Sequence, residues 1–257
     1  METLQSFLVS GVFAFILIFV RLGTAIMILP GVGDSFVPNK IRLYIALGMT
    51  LMLTPLVSQY IPKTVPPLPT LFVLITMEFI IGLLVGTIAR ALMAALDTAG
   101  MVVSLTSGLA NAQLFNPVAA GQGSIVGAFL SVTGVMVLMA ANFHHFLFYG
   151  LVQTYKSFPV GAVPDTGSMA QLVSQTIAAS FLMGVQIATP FLILAMLIYI
   201  GMGVLSRVMP QIQVFLLAIP LQILLSMLTL SLVLSAGYLF WLSKFRDHMS
   251  FLFTISG

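Results

Sequence analysis

Six stretches of this chain are apolar over the roughly 20 residues that a helix needs to cross about 30 Å of hydrocarbon. They lie near Gln5–Leu29, Ile41–Ile61, Leu68–Leu96, Ile125–Val152, Leu172–Leu205 and Val214–Leu242. A backbone in lipid must satisfy its own N–H and C=O groups, so runs of this length predict transmembrane helices. The expectation is an all-α polytopic membrane protein of about six long, partly kinked helices that form hairpins. Of the 257 residues 60% are hydrophobic and 6% charged, against about 25% charged in soluble domains. The surplus apolar surface has to face lipid or other membrane subunits. No stretch is polar enough for a soluble domain, so residues 1–257 read as a single membrane-embedded domain.

The connectors are short and rich in helix breakers: Pro30-Gly31-Val32-Gly33, Pro62 through Pro69, Pro159 through Gly167, and Met209-Pro210. Such connectors make neighbours in sequence neighbours in space. Pro190 and Pro220 fall inside predicted spans, where each removes a backbone donor and predicts a kink. The start, Met1-Glu2-Thr3-Leu4, has no basic leader and its apolar run passes Arg21, so it reads as an uncleaved first span. Six spans put Lys63, Lys156, Lys244 and Arg246 on the side of the termini and Lys40, Arg42 and Arg207 on the other. Four against three favours a cytoplasmic C terminus. The net charge is +3, with nine basic residues scattered singly. A nucleic-acid patch needs them clustered on one face, so no nucleic-acid partner is expected.

Charge inside a span costs a few kcal/mol or more, so it normally faces protein or water. Arg21 lies in the first span; Glu78, Arg90 and Asp97 lie in or at the end of the third. Glu78 and Arg90 are twelve residues apart, about 18 Å in rise and about 120° around a helix, which excludes a direct pair on one straight helix. Arg90 and Asp97 share a face but are about 10 Å apart in rise. Partners on other helices or other subunits are expected. These groups are either assembly contacts or a proton or ion relay; their separation leaves no continuous path, which favours assembly. Gly82 and Gly86, four residues apart, suit close helix packing in lipid.

The stretch Thr98–Ser124 carries no charged residue. It offers Ser107, Gly108, Asn111, Gln113, Phe115, Asn116, Pro117, Gly121 and Gly123. Irregular backbone at membrane depth is tolerated where it lines a cavity or is buried in protein. Small residues, amides and aliphatics suit a re-entrant loop that plugs or lines a pore; the bland alternative is an interfacial loop. His144, His145 and His248 have no carboxylate cluster or H-E-x-x-H around them, and there is no cysteine. Neither G-x-x-x-x-G-K-[ST] nor G-x-S-x-G occurs. No enzymatic activity, metal or cofactor is expected. The sixteen methionines suit gap-filling between helices, and Met101 or Met209 could form a deformable seal.

Three segments carry a resemblance. Pro30-Gly31-Val32-Gly33 is followed by Val37-Pro38-Asn39-Lys40-Ile41-Arg42 and Pro55. Glu78, Gly82 and Gly86 lead into Ser107–Gly123. Met209-Pro210-Gln211-Ile212-Gln213-Val214-Phe215 precedes Pro220. In content and order these resemble the FliR family of flagellar export-gate subunits and its injectisome counterparts, across essentially the whole chain. Ala218, Gln222 and Ser226 depart from the glycine, lysine and glycine common there.

The resemblance implies one copy of this chain in a helical hetero-oligomer with FliP- and FliQ-type subunits, contacted by an FlhB-type subunit, in the bacterial inner membrane at the flagellar basal body. The assembly passes unfolded flagellar proteins, driven by the proton-motive force and a soluble ATPase. It also implies that the Ser107–Gly123 loop plugs the closed channel, that helices are steeply tilted and broken, and that part of the apolar surface meets subunits rather than membrane lipid. The rival reading is a self-contained secondary transporter using Glu78, Arg90 and Asp97.

Overall fold

The computed structural model describes residues 2–62, 64–110, 124–161, 165–211 and 214–250, without the side chains of 2–8 and 214–217. The described chain is helical throughout: α1 Glu2–Ile28, α2 Asn39–Val57 with a 3-10 turn Ser58–Tyr60, α3 Leu68–Thr106, α4 Ile125–Ala140, α5 Phe143–Ser157, α6 Thr166–Val208 and α7 Val214–Met249. Five of these are long and apolar enough to cross a membrane, or six spans result if the α4–α5 pair counts as one. The polytopic all-α architecture expected from the apolar runs is present.

Two boundaries differ from the expectation. The predicted span Ile125–Val152 is broken: α4 and α5 meet at 75°. Asn142 makes the break with a left-handed φ of 59°, which asparagine adopts more readily than most residues because its short side chain bonds locally. The third helix extends to Thr106 rather than Leu96, so the first part of the uncharged stretch is helix. It ends where Gly108 takes a φ of 79°, a common way to stop a helix. Pro190 and Pro220 lie inside α6 and α7, each a single helix, as the expected spans had them.

The chain forms two compact units that interleave in sequence: Met1–Ala91, Leu138–Ile177 and the chain from Phe245 make one, and Leu92–Val137 with Ala178–Lys244 the other. No single cut separates them. In the first, α1 packs on α3, and Leu17, Ile18, Leu22 and Ile26 of α1 and Ile81, Val85 and Ile88 of α3 are all nearly inaccessible. Gly82 and Gly86 make this approach possible. A methyl on Gly82 would strike the Arg21 carbonyl oxygen, and one on Gly86 would lie 2.8 Å from Ile28 Cβ. In lipid, where apolar transfer favours no helix pair, such close van der Waals contact is a main driving term.

The second unit uses the same device. Gly100 lies directly against Gly127, and a methyl on Gly184 would meet the Ala95 carbonyl oxygen at 2.8 Å. Fully buried Trp241 donates its indole N–H to the Leu92 carbonyl at 3.0 Å, and the Tyr238 hydroxyl donates to the Leu130 carbonyl at 3.0 Å. Only 11% of the apolar window of α7 is buried within the chain. The remainder has to be covered by lipid or protein.

Candidate functional site

The first hairpin turns at Pro30–Pro38, and its glycines are required by position. Gly31 has a φ of 90°, and a methyl on Gly33 would sit 2.6 Å from the Met27 carbonyl oxygen. Asp34 organises the turn. Its Oδ2 accepts from the Gly31 N–H at 2.7 Å, its Oδ1 pairs with Arg90 of α3, and its carbonyl accepts from Arg42 Nη2 at 2.6 Å. Arg42 Nε also donates to the Val37 carbonyl at 2.9 Å. The V-P-x-x-x-R pattern thus has a mechanical reason: the arginine on the first turn of α2 reaches back to fix the loop before it.

Deeper in the same unit, Arg21 of α1 is 0% and Glu78 of α3 1% exposed. Arg21 Nε and Nη2 donate to the two carboxylate oxygens at 2.6 and 2.8 Å, the bidentate geometry that gives a guanidinium its strongest pairing. Nη1 donates to Thr154 Oγ1 at 3.2 Å and Nη2 to the Phe158 carbonyl at 3.0 Å. The Tyr155 ring lies 3.9 Å below the guanidinium carbon. One buried cation therefore ties α1, α3 and the end of α5 together. The sequence pointed to Arg21 and Glu78 separately; nothing in it marked Thr154 or Tyr155, and Asp34 was detectable only as the acidic residue of the first loop.

In the second unit Asp97 is exposed and accepts from the Ser131 hydroxyl of α4. The root of the uncharged loop is described as far as Ala110. Ser107 is buried, its hydroxyl donates to the Ser104 carbonyl at 3.2 Å, and Gln222 of α7 donates to the Thr106 carbonyl. Gln222 thus caps α3 with a neutral donor. Asn111, Gln113, Phe115, Asn116, Pro117, Gly121 and Gly123 lie outside the described residues, as do Gln213 and the side chain of Phe215. Pro210, Gln211 and Pro220 are exposed, and so are Met101 and Met209.

Elsewhere, the His144 and His145 rings are 4.1 Å apart, and no group of three or more potential metal ligands gathers among the described residues. Asp165, just ahead of α6, accepts from the Ser168 hydroxyl at 2.5 Å and the Gly167 N–H at 3.0 Å. These bonds, the Ser168 hydroxyl first, hold its carboxyl below the usual carboxylate range.

Helices of this length and apolarity, joined by glycine contacts and a buried ion pair, define a polytopic helical membrane protein. Residues 12–248 match the sequence model of the family described as bacterial export proteins, family 1. The chain is 36% identical over 235 residues to the flagellar biosynthetic protein FliR of Caulobacter vibrioides, covering 90% of this chain and 92% of that one. It is 27% identical to the FliR of Aquifex aeolicus over 245 residues, 95% and 93% of the two chains. A shorter likeness, 31% over 155 residues and 60% and 59% of the chains, relates it to the Yop proteins translocation protein T of Yersinia pestis. The chain belongs to this family of bacterial export proteins, the family of FliR.

Proposed function

We propose that the chain is a structural and gating subunit of the flagellar type III export channel, without enzymatic activity. One copy joins FliP- and FliQ-type subunits, with an FlhB-type subunit in contact, in the bacterial inner membrane at the flagellar basal body. Unfolded flagellar proteins cross the assembly. The observation that carries this reading is the likeness to a flagellar FliR across nine-tenths of the chain; the injectisome relative is matched over a shorter stretch. Exposed apolar surface on α6 and α7 supports life inside a larger complex.

The loop Ser107–Gly123 is the proposed plug; Arg21, Glu78, Arg90 and Asp97, expected as assembly contacts, each have a partner within the chain and are proposed to hold its own helices rather than move ions. Support comes from their separate partners: Glu78 is tied to Arg21, Arg90 to Asp34, and Asp97 to Ser131. The secondary-transporter alternative has no support in this arrangement. The test is the native mass of the complex formed when a tagged chain is co-expressed with its FliP- and FliQ-type neighbours. A discrete particle with one copy of this chain among several of the others is expected. A stable particle of this chain alone would overturn the reading.

A further inference from the structure

The turn Asp34–Val37 is fixed to an unusual degree for a connector. The Val37 N–H donates to the Asp34 carbonyl at 2.9 Å, which places Ser35 and Phe36 at the corners of a β-turn. Arg42 donates to that same carbonyl and to the Val37 carbonyl, while the Asp34 carboxylate holds Gly31 and Arg90. On this clamped corner Phe36 is 61% exposed. An aromatic ring held outward on a rigid turn loses little entropy when it is buried by something else.

Its surroundings are basic. Lys40 is exposed at the start of α2, Tyr44 one turn later on the same face is 68% exposed, and Arg90 is 48% exposed beside Asp34. With Arg42, three cations stand against the one carboxylate of Asp34. Aromatic and arginine side chains on a preorganised support are the composition of interface hot spots. Attraction to lipid would need the cations and rings, but not a turn clamped from both ends.

We propose that the Asp34–Val37 turn is a preformed docking knob for a protein partner. The Phe36 ring enters an apolar pocket of that partner, whose rim carboxylates meet Lys40 and the exposed edge of Arg90. The partner is a neighbouring subunit with an acidic rim, so the proposal rests on the reading of the chain as one member of a hetero-oligomer.

The experiment uses the co-expressed complex with p-benzoylphenylalanine at position 36 and, separately, the variants Phe36→Ala and Lys40→Glu. On irradiation, position 36 is expected to crosslink to one protein of discrete mass. Phe36→Ala should lower recovery of the complex by about tenfold or more, as loss of an aromatic anchor does, with the helical content of the chain unchanged. Lys40→Glu should make the complex dissociate at lower salt. If the wild-type complex forms and Phe36→Ala forms it equally well, or if the probe at position 36 crosslinks to lipid alone, the docking knob is overturned and the hetero-oligomer reading stands. A wild-type chain that purifies alone overturns both.

Discussion

A guanidinium enclosed by apolar side chains has five N–H groups to satisfy and no water to help. Arg21 directs two to Glu78, one to Thr154 and one to the Phe158 carbonyl, over the face of Tyr155. Thr154 passes the chain of bonds on, donating to the Leu151 carbonyl at 2.6 Å. Removing one partner strands the other charge, which costs about 3–5 kcal/mol for a buried pair. Glu78→Ala is therefore expected to lower the melting temperature of the isolated chain in detergent. The joint replacement Arg21→Met with Glu78→Leu should recover most of the loss. Because the partner is intrachain, the defect should appear before any other subunit is added; an isolated Glu78→Ala chain that melts with wild type would sink this role. Helix geometry correctly excluded a Glu78–Arg90 pair, since that needs only spacing along one helix. It could not name Arg21, because a sequence carries no distance between helices.

The α4–α5 corner is where one element becomes two. Asn142 stands in the left-handed region, which costs β-branched residues most because their Cβ crowds the carbonyl. Asn142→Gly is expected to leave thermal stability nearly unchanged, whereas Asn142→Val should cost about 1–2 kcal/mol. Equal melting of the two variants would mean that the corner is set by the packing of α4 and α5 instead. Hydropathy located every long helix because lipid-length apolar runs are a strong signal. It missed this break because asparagine in an apolar run is ambiguous. It also ended α3 too early: absence of charge says nothing of backbone geometry, and the helix persists while Gly100 can nest on Gly127. Pro190 and Pro220 lie inside α6 and α7, within the spans that the apolar runs had marked.

For the whole molecule, most of what the apolar runs imply is a relation to things outside the chain. If the Ser107–Gly123 loop plugs the assembled channel, shortening it in the complete complex should raise membrane conductance to small ions, read as depolarisation of cells or dye release from vesicles. Unchanged conductance would remove the plugging role while leaving export-gate membership untouched. The amides and glycines of that loop were legible as a class of residues, and those from Asn111 to Gly123 lie outside the described residues.

At 1.5 Å per residue, the 43 residues of α6 are about 64 Å long and the 39 of α3 about 58 Å, roughly twice the hydrocarbon thickness. No charged side chain interrupts the sequence between Asp165 and Arg207. The insertion machinery, which senses windows of about 20 residues, therefore meets a run that satisfies it at several offsets. Depth in the bilayer becomes a sliding coordinate for this chain alone, with many near-equivalent settings. In the proposed assembly, neighbouring surfaces would choose among these settings, making vertical position an acquired property rather than one written in the chain's own hydropathy.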